Sequence, residues 1–190
     1  MFKKSLQGII VITVIFGLSG CKSANTPCID PKTTNLVTKR ERTIWADSWL
    51  YCEAPKLEVE TWLSDVPDTK DKYILVEFWG TYCPPCRRSI PILNGFRKKF
   101  KDELVVIGIS HEPVDVVKNF KEYKIEYYSA VDTQERMKKK LNVFGIPHII
   151  IIEPKYGCIV WEGFPLLKGY ELTEQTIEKI LAVERKEKGK

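Results

Sequence analysis

Cys83 and Cys86 are thiols three residues apart, separated by Pro84 and Pro85. They follow an apolar run, Tyr73–Phe78, and precede a stretch where Ile90, Leu93, Phe96 and Phe100 recur at helical spacing. A helix N-terminus offers unsatisfied N–H groups and the positive end of the helix dipole. A thiol placed there has its thiolate stabilised, and the thiolate is the attacking species in disulfide exchange. A second thiol one turn on reaches back to the first, so the spacing supports a reversible dithiol–disulfide couple. The competing readings are a permanent disulfide and half of a zinc site. Zinc needs a second cysteine pair at finger-like spacing, whereas Cys21, Cys28, Cys52 and Cys158 stand singly. Arg87 occupies the place where a c-type haem attachment needs His. Only two His are present, which leaves little room for a multi-histidine metal centre, and no metal or cofactor is expected.

Glu77 is a carboxylate inside the otherwise apolar run. Burial without a partner disfavours its charged form and raises its pKa. Set beneath Cys86, such a group takes the proton from the resolving thiol and later returns it. The alternative is a strand-end Glu reaching solvent. Pro84 and Pro85 lack an N–H and so withdraw two possible donors from the Cys83 thiolate, while the Cys86 N–H remains. A less acidic Cys83 follows, which weakly favours a reductant.

Arg87, Arg88, Arg97, Lys98, Lys99 and Lys101 give the same helix a basic, mostly solvated face. Arg87 and Arg88 lie nearest the thiols, where they favour a thiolate or an acidic partner. His148, with no acid beside it, reads as structural or solvent-facing, and His111 reads the same way. A Cys28–Cys52 clamp that leaves Cys158 unpaired is one arrangement for the other cysteines, whose connectivity stays open.

Elements that position these residues follow from the pattern. Leu104–Ile109, His148–Ile152 and Cys158–Trp161 join Tyr73–Phe78 as near-continuous apolar runs, which predicts strands in a sheet covered on both faces. Tyr127–Val131 is a weaker strand candidate. Helices are expected after Pro113 on Val116, Val117 and Phe120, from Thr133 through Met137 and Leu141, and from Thr173 through Ile177, Ile180 and Leu181. Strands alternating with helices imply parallel pairing. The short Glu153–Gly157 segment turns the last two strands into an antiparallel hairpin. The fold class is α/β, a mixed central sheet flanked by helices.

The 190 residues suit one domain, and 44% hydrophobic with 29% charged residues is ordinary globular usage. A net charge of +5 gives no reason to expect nucleic acid. Residues 1–20 hold Lys3 and Lys4, a 13-residue apolar stretch from Leu6 to Leu18 and no acid, as a secretory signal does. A membrane-spanning helix needs about 20 apolar residues. Residues 21–42, rich in Lys, Thr, Ser, Asn and Pro, read as a tether, and residues 43–190 as the domain.

Two resemblances add to this reading. Leu18-Ser19-Gly20-Cys21 resembles the bacterial lipobox, which implies acyl chains on Cys21, a lipid anchor and a site on the periplasm-facing side of a bacterial membrane. Glu77-Phe78-Trp79-Gly80-Thr81-Tyr82-Cys83-Pro84-Pro85-Cys86 resembles the active-site segment of the thioredoxin superfamily, and among its branches the membrane-tethered TlpA/ResA-type oxidoreductases. Pro91 matches a helix-kinking proline of that family, and Gly145-Ile146-Pro147 resembles its cis-proline loop. Pro113–Val131 resembles the extra helix and strand inserted in that branch.

The resemblance implies a thioredoxin-like fold with one extra βα insertion. It implies Cys83, Cys86 and Glu77 as the reacting groups, Trp79, Tyr82, Pro84, Pro85 and Pro147 around the substrate, and an Ile146 backbone that pairs with a substrate peptide. Protein thiols as substrates, a membrane thiol transporter as electron donor, a role in cytochrome c maturation and a monomer are also implied. A redoxin-type peroxidase is the first alternative, but it wants Thr or Ser three residues before the reactive Cys, where Gly80 stands. A copper-handling lipoprotein is the second, with no Met cluster to support it.

Overall fold

The apolar runs form the middle of one six-stranded sheet in the computed structural model, which describes Cys28 and residues 44–188. In chain order the strands are β1 (Thr61–Trp62), β2 (Tyr73–Trp79), β3 (Leu104–Ser110), β4 (Tyr128–Val131), β5 (His148–Ile152) and β6 (Ile159–Gly163). The helices are α1 (Pro84–Lys99), α2 (Val114–Asn119), α3 (Arg136–Lys140) and α4 (Glu174–Lys188). The sheet order is β1-β4-β3-β2-β5-β6. β2, β3 and β4 pair in parallel, and β1, β5 and β6 run antiparallel to their neighbours. The sheet is mixed, as expected, and β5 and β6 form the expected hairpin.

Every residue of β3 and β5 is buried, and all of β2 except Ile74. Both faces of the sheet are therefore covered. On one face Leu75, Val106, Ile149 and Ile151 pack against Ile90, Leu93 and Phe96 of α1 and Ile177, Ile180 and Leu181 of α4. On the other, Val76, Phe78, Ile107 and Ile150 meet Met137 and Leu141 with an N-terminal arm that brings Ala46, Trp49, Ala54 and Leu57. That arm is tied down by backbone bonds, Tyr51 N–H donating to Ile159 at 2.7 Å and Ala54 N–H to Gly157 at 2.8 Å.

The ends of the elements are where the expectations need correction. β1 is two residues long, too short for any periodicity to announce it. In α2 only Val117 is buried; Val116 is exposed and Phe120 stands just past the helix, because six residues give less than two turns to sort into faces. α3 starts at Arg136 rather than Thr133. Asp132 accepts the Arg136 N–H at 2.7 Å, while Thr133 gives its N–H and hydroxyl to Glu60 instead. α4 does start after Thr173, whose hydroxyl accepts the Thr176 N–H at 3.2 Å, an N-cap bond.

Residues 1–20, Cys21 and the tether apart from Cys28 lie outside the described residues. Cys28 corrects the expected clamp. It is disulfide-bonded to Cys158, not Cys52, with Cα atoms 6.2 Å apart, so Cys158 is paired. The physical reason is the arm: Cys28 N–H donates to Tyr51, and Tyr51 in turn lies along β6 beside Cys158. Among the described residues no helix is long and apolar enough to cross a membrane.

Candidate redox site

α1 begins at Pro84, with both prolines in its first turn and Cys83 as its N-cap. Prolines suit that turn because its N–H groups have no helical partner. The helix continues through Pro91, which removes the ladder donor to the carbonyl of Arg87. Cys83 and Cys86 are disulfide-bonded with Cα atoms 5.2 Å apart. The Cys86 N–H points at the Cys83 sulfur, 3.3 Å away, so the amide left by the two prolines is aimed at that atom. Cys86 is fully buried, whereas Cys83 keeps 6% of its surface at the rim.

The loop before β5 closes over this sulfur. The Ile146–Pro147 peptide is cis, and the Ile146 carbonyl oxygen lies 3.6 Å from Cys83 Sγ. Pro147 is buried while Ile146 is half-buried. Tyr82 and Pro84 are exposed beside the disulfide and Pro85 is half-buried, so the thiol rim has an apolar surround. Trp79, by contrast, is almost wholly buried and packs edge-on against Phe120. It shapes the core under the site rather than its surface.

Glu77 has no exposed surface. It points to the α1 side of the sheet, where Ser89 of α1 shares a hydrogen bond with its Oε1 and the Tyr127 hydroxyl donates to its Oε2 at 3.5 Å. Burial pushes its carboxyl up to about 8, and the bonds from Ser89 and Tyr127 only partly offset that. Ser89 Oγ is also 2.7 Å from the carbonyl oxygen of Cys86, so one hydroxyl links the carboxyl to the backbone of the buried cysteine. The strand-end reading of Glu77 is thereby set aside.

Glu112 carried no sequence signal, and the two His and Arg87 take places that their types alone did not assign. Glu112, just beyond β3, accepts the Thr81 N–H at 2.6 Å and the Thr81 hydroxyl at 2.7 Å, pinning the loop that leads into Cys83. His111 Nε2 lies 3.2 Å from the Tyr82 hydroxyl, so this His belongs to the rim of the site. His148 is buried and stacks on Phe78 in the opposite layer. Arg87 is paired with Glu122 at 3.1 Å, which spends its charge on the inserted segment rather than on the thiols. Phe144, exposed on the loop before Pro147, adds an aromatic that the pattern did not mark.

Residues 52–161 match the model of the AhpC/TSA family, which is more than half of the chain. The chain belongs to the AhpC/TSA family. Within this AhpC/TSA chain the expected TlpA/ResA-type likeness is present. It is 32% identical over 117 residues to the thiol-disulfide oxidoreductase ResA of Bacillus thuringiensis subsp. konkukian, covering 60% of this chain and 65% of that one. The chain thus spans just under two thirds of the length of that relative. It is 26% identical over 163 residues to the thioredoxin-like protein YneN of Bacillus subtilis, covering 82% of this chain and 86% of the relative. Its fold matches a solved thiol-disulfide isomerase from Corynebacterium glutamicum with a TM-score of 0.55 and 23% identity, over 68% of this chain and 94% of that one. The AhpC/TSA chain has the thioredoxin-like fold.

Proposed function

We propose that this protein is a thiol–disulfide oxidoreductase that reduces disulfides of proteins outside the cytoplasm. One observation carries the reading: a disulfide at the head of a helix, one sulfur at the rim and one buried, with a buried carboxyl a single hydroxyl away. The names of the relatives, thiol-disulfide oxidoreductase and thiol-disulfide isomerase, support it.

In the reduced protein the Cys83 thiolate attacks a substrate disulfide. One substrate sulfur leaves as a thiolate, and the other stays bonded to Cys83. Cys86 then gives its proton to Glu77 and attacks Cys83 Sγ. The bond to the substrate breaks, the second substrate thiolate leaves, and the Cys83–Cys86 disulfide holds the oxidation equivalent of the two electrons passed on. A carboxyl that burial has pushed up to about 8 is a far better proton acceptor for a thiol than one at the ordinary 4.5. The Ile146 backbone beside Cys83 pairs with the substrate peptide, and Tyr82, Pro84, Pro85 and Pro147 form its bed. Trp79 supports that bed from beneath. Electrons return from a membrane thiol transporter, the chain is held at the membrane by acyl chains on Cys21, and c-type cytochrome maturation is the setting the resemblance implies.

Expression of Cys86→Ser and Cys83→Ser in the native host tests the order of the sulfurs. Cys86→Ser is expected to stop halfway, with substrate proteins held on Cys83 as mixed disulfides on a non-reducing gel. Cys83→Ser is expected to trap none. Adducts on Cys83→Ser alone reverse the assignment, and adducts on neither remove protein thiols as substrates.

A further inference from the structure

Glu77 in β2 stands opposite Gly108 of β3 in the parallel register. Both face the α1 side, and Gly108 leaves a gap in the wall that β3 presents there. The gap is filled from the next strand. A Cβ built on Gly108 would lie 2.9 Å from the Tyr127 ring and 3.1 Å from the Trp79 indole nitrogen, so no other residue fits without moving one of them. Through this opening Tyr127, the residue before β4, reaches across β3 to Glu77. Tyr127 is itself 4% exposed, and its hydroxyl is held well above the usual tyrosine range by burial first and by Glu77 second. It therefore remains a donor throughout the working range of the dithiol.

Ser89 has one proton to give and two acceptors in reach, the Glu77 carboxyl and the Cys86 carbonyl. When Glu77 is protonated, its own O–H donates to Ser89, and Ser89 donates to Cys86. When Glu77 is ionised, Ser89 turns its proton to the carboxylate and the Cys86 carbonyl loses that bond. Tyr127 donates to the second oxygen in either state. Among the described residues no charged side chain contributes to the state of Glu77. From α1 it meets Ser89, its register partners are Gly108 in β3 and the apolar Ile149 in β5, and from the β4 side it meets Tyr127.

We infer that Tyr127, admitted by the gap at Gly108, is a positioning residue that fixes Glu77 for proton transfer and sets, with Ser89, the pH at which the carboxyl gives up its proton. The inference rests on Glu77 as proton acceptor, and it assigns to the inserted segment a part in the chemistry beyond covering the sheet.

The infrared band of the protonated Glu77 carboxyl, identified by its loss in Glu77→Gln, gives the midpoint directly in the full-length oxidised protein. The pH profile of mixed-disulfide resolution gives its kinetic counterpart. Tyr127→Phe keeps the ring and removes one donor to the carboxylate, so the infrared midpoint is expected to rise by roughly half to one pH unit. Gly108→Ala should reproduce that rise by displacing the ring, and adding it to Tyr127→Phe should add nothing. An unchanged midpoint in Tyr127→Phe overturns the inference whether or not Gly108→Ala folds. A midpoint that moves while the kinetic profile of both parent and variant ignores it leaves Tyr127 as the holder of Glu77 and removes Glu77 as the proton acceptor.

Discussion

The bridges Cys28–Cys158 and Cys83–Cys86 have opposite designs. Cys83–Cys86 closes a loop of three positions at the head of α1, beside a carbonyl, an aimed amide and a titratable carboxyl. Cys28–Cys158 spans 130 positions, with Cys158 wholly buried, and joins the chain before the arm to the last hairpin. The short bridge does little to restrict an unfolded chain, and the long one does much. Reactivity therefore comes from what surrounds the sulfurs, and stabilisation from how far apart in sequence they are.

The largest effect that sharpens this contrast is on stability. Replacing Cys28 by Ser and Cys158 by Ala is expected to cost about 4 kcal/mol in chemical unfolding. Turnover at Cys83–Cys86 should be unchanged in the same protein. A parallel loss of turnover would merge the two bridges into one functional unit.

Glu77→Gln probes the reactive side alone. The folded carboxyl titrates near 8 against an ordinary 4.5, so the folded state holds the extra proton between these values. Stability from this group is then complete below about 4.5 and is lost as pH rises through 8, of the order of a few kcal/mol. Unfolding midpoints measured at pH 5 and pH 9 should fall with pH in the parent and fall less in Glu77→Gln. Equal slopes would mean that Glu77 does not hold its proton in the fold.

The smallest expected difference is in potential. Titration against glutathione should place Cys83–Cys86 near about −270 mV and Cys28–Cys158 below about −300 mV, and 30 mV corresponds to about 1.4 kcal/mol. A Cys83–Cys86 value near about −120 mV would sink the reductive direction.

The Cys83–Cys86 bridge was legible in sequence and the Cys28–Cys158 bridge was not. CPPC between an apolar strand and a periodic helix fixes its own partners, because both sulfurs lie on one turn. Cys28 and Cys158 are joined by a fold-level contact 130 positions long, which spacing cannot rank against Cys52. Glu77 stood out as one charge in an apolar run, yet Ser89 and Tyr127 resemble ordinary core and lie 12 and 50 positions away. Long strands announced themselves as near-continuous apolar runs, and α1 through the helical spacing of its apolar residues. The start of α3 is decided instead by a single side-chain bond, Asp132 to the Arg136 N–H, and β1 and α2 are too short for a pattern to delimit them.

The first part of the arm, ahead of the family-matched segment, has a consequence for anyone trimming this protein. The Trp45 carbonyl accepts the N–H groups of Phe144 and Gly145 at 2.9 and 3.2 Å, and its side chain occupies the place a Cβ at Gly145 would need, 2.5 Å away. The loop opposite Cys83 is thus wedged by a residue that belongs to neither the CPPC helix nor the matched region, residues 52–161. A minimal module cut at that boundary keeps both sulfurs and discards the wedge. Transplanting this active site into another scaffold means carrying over a tryptophan 38 positions upstream of the first cysteine.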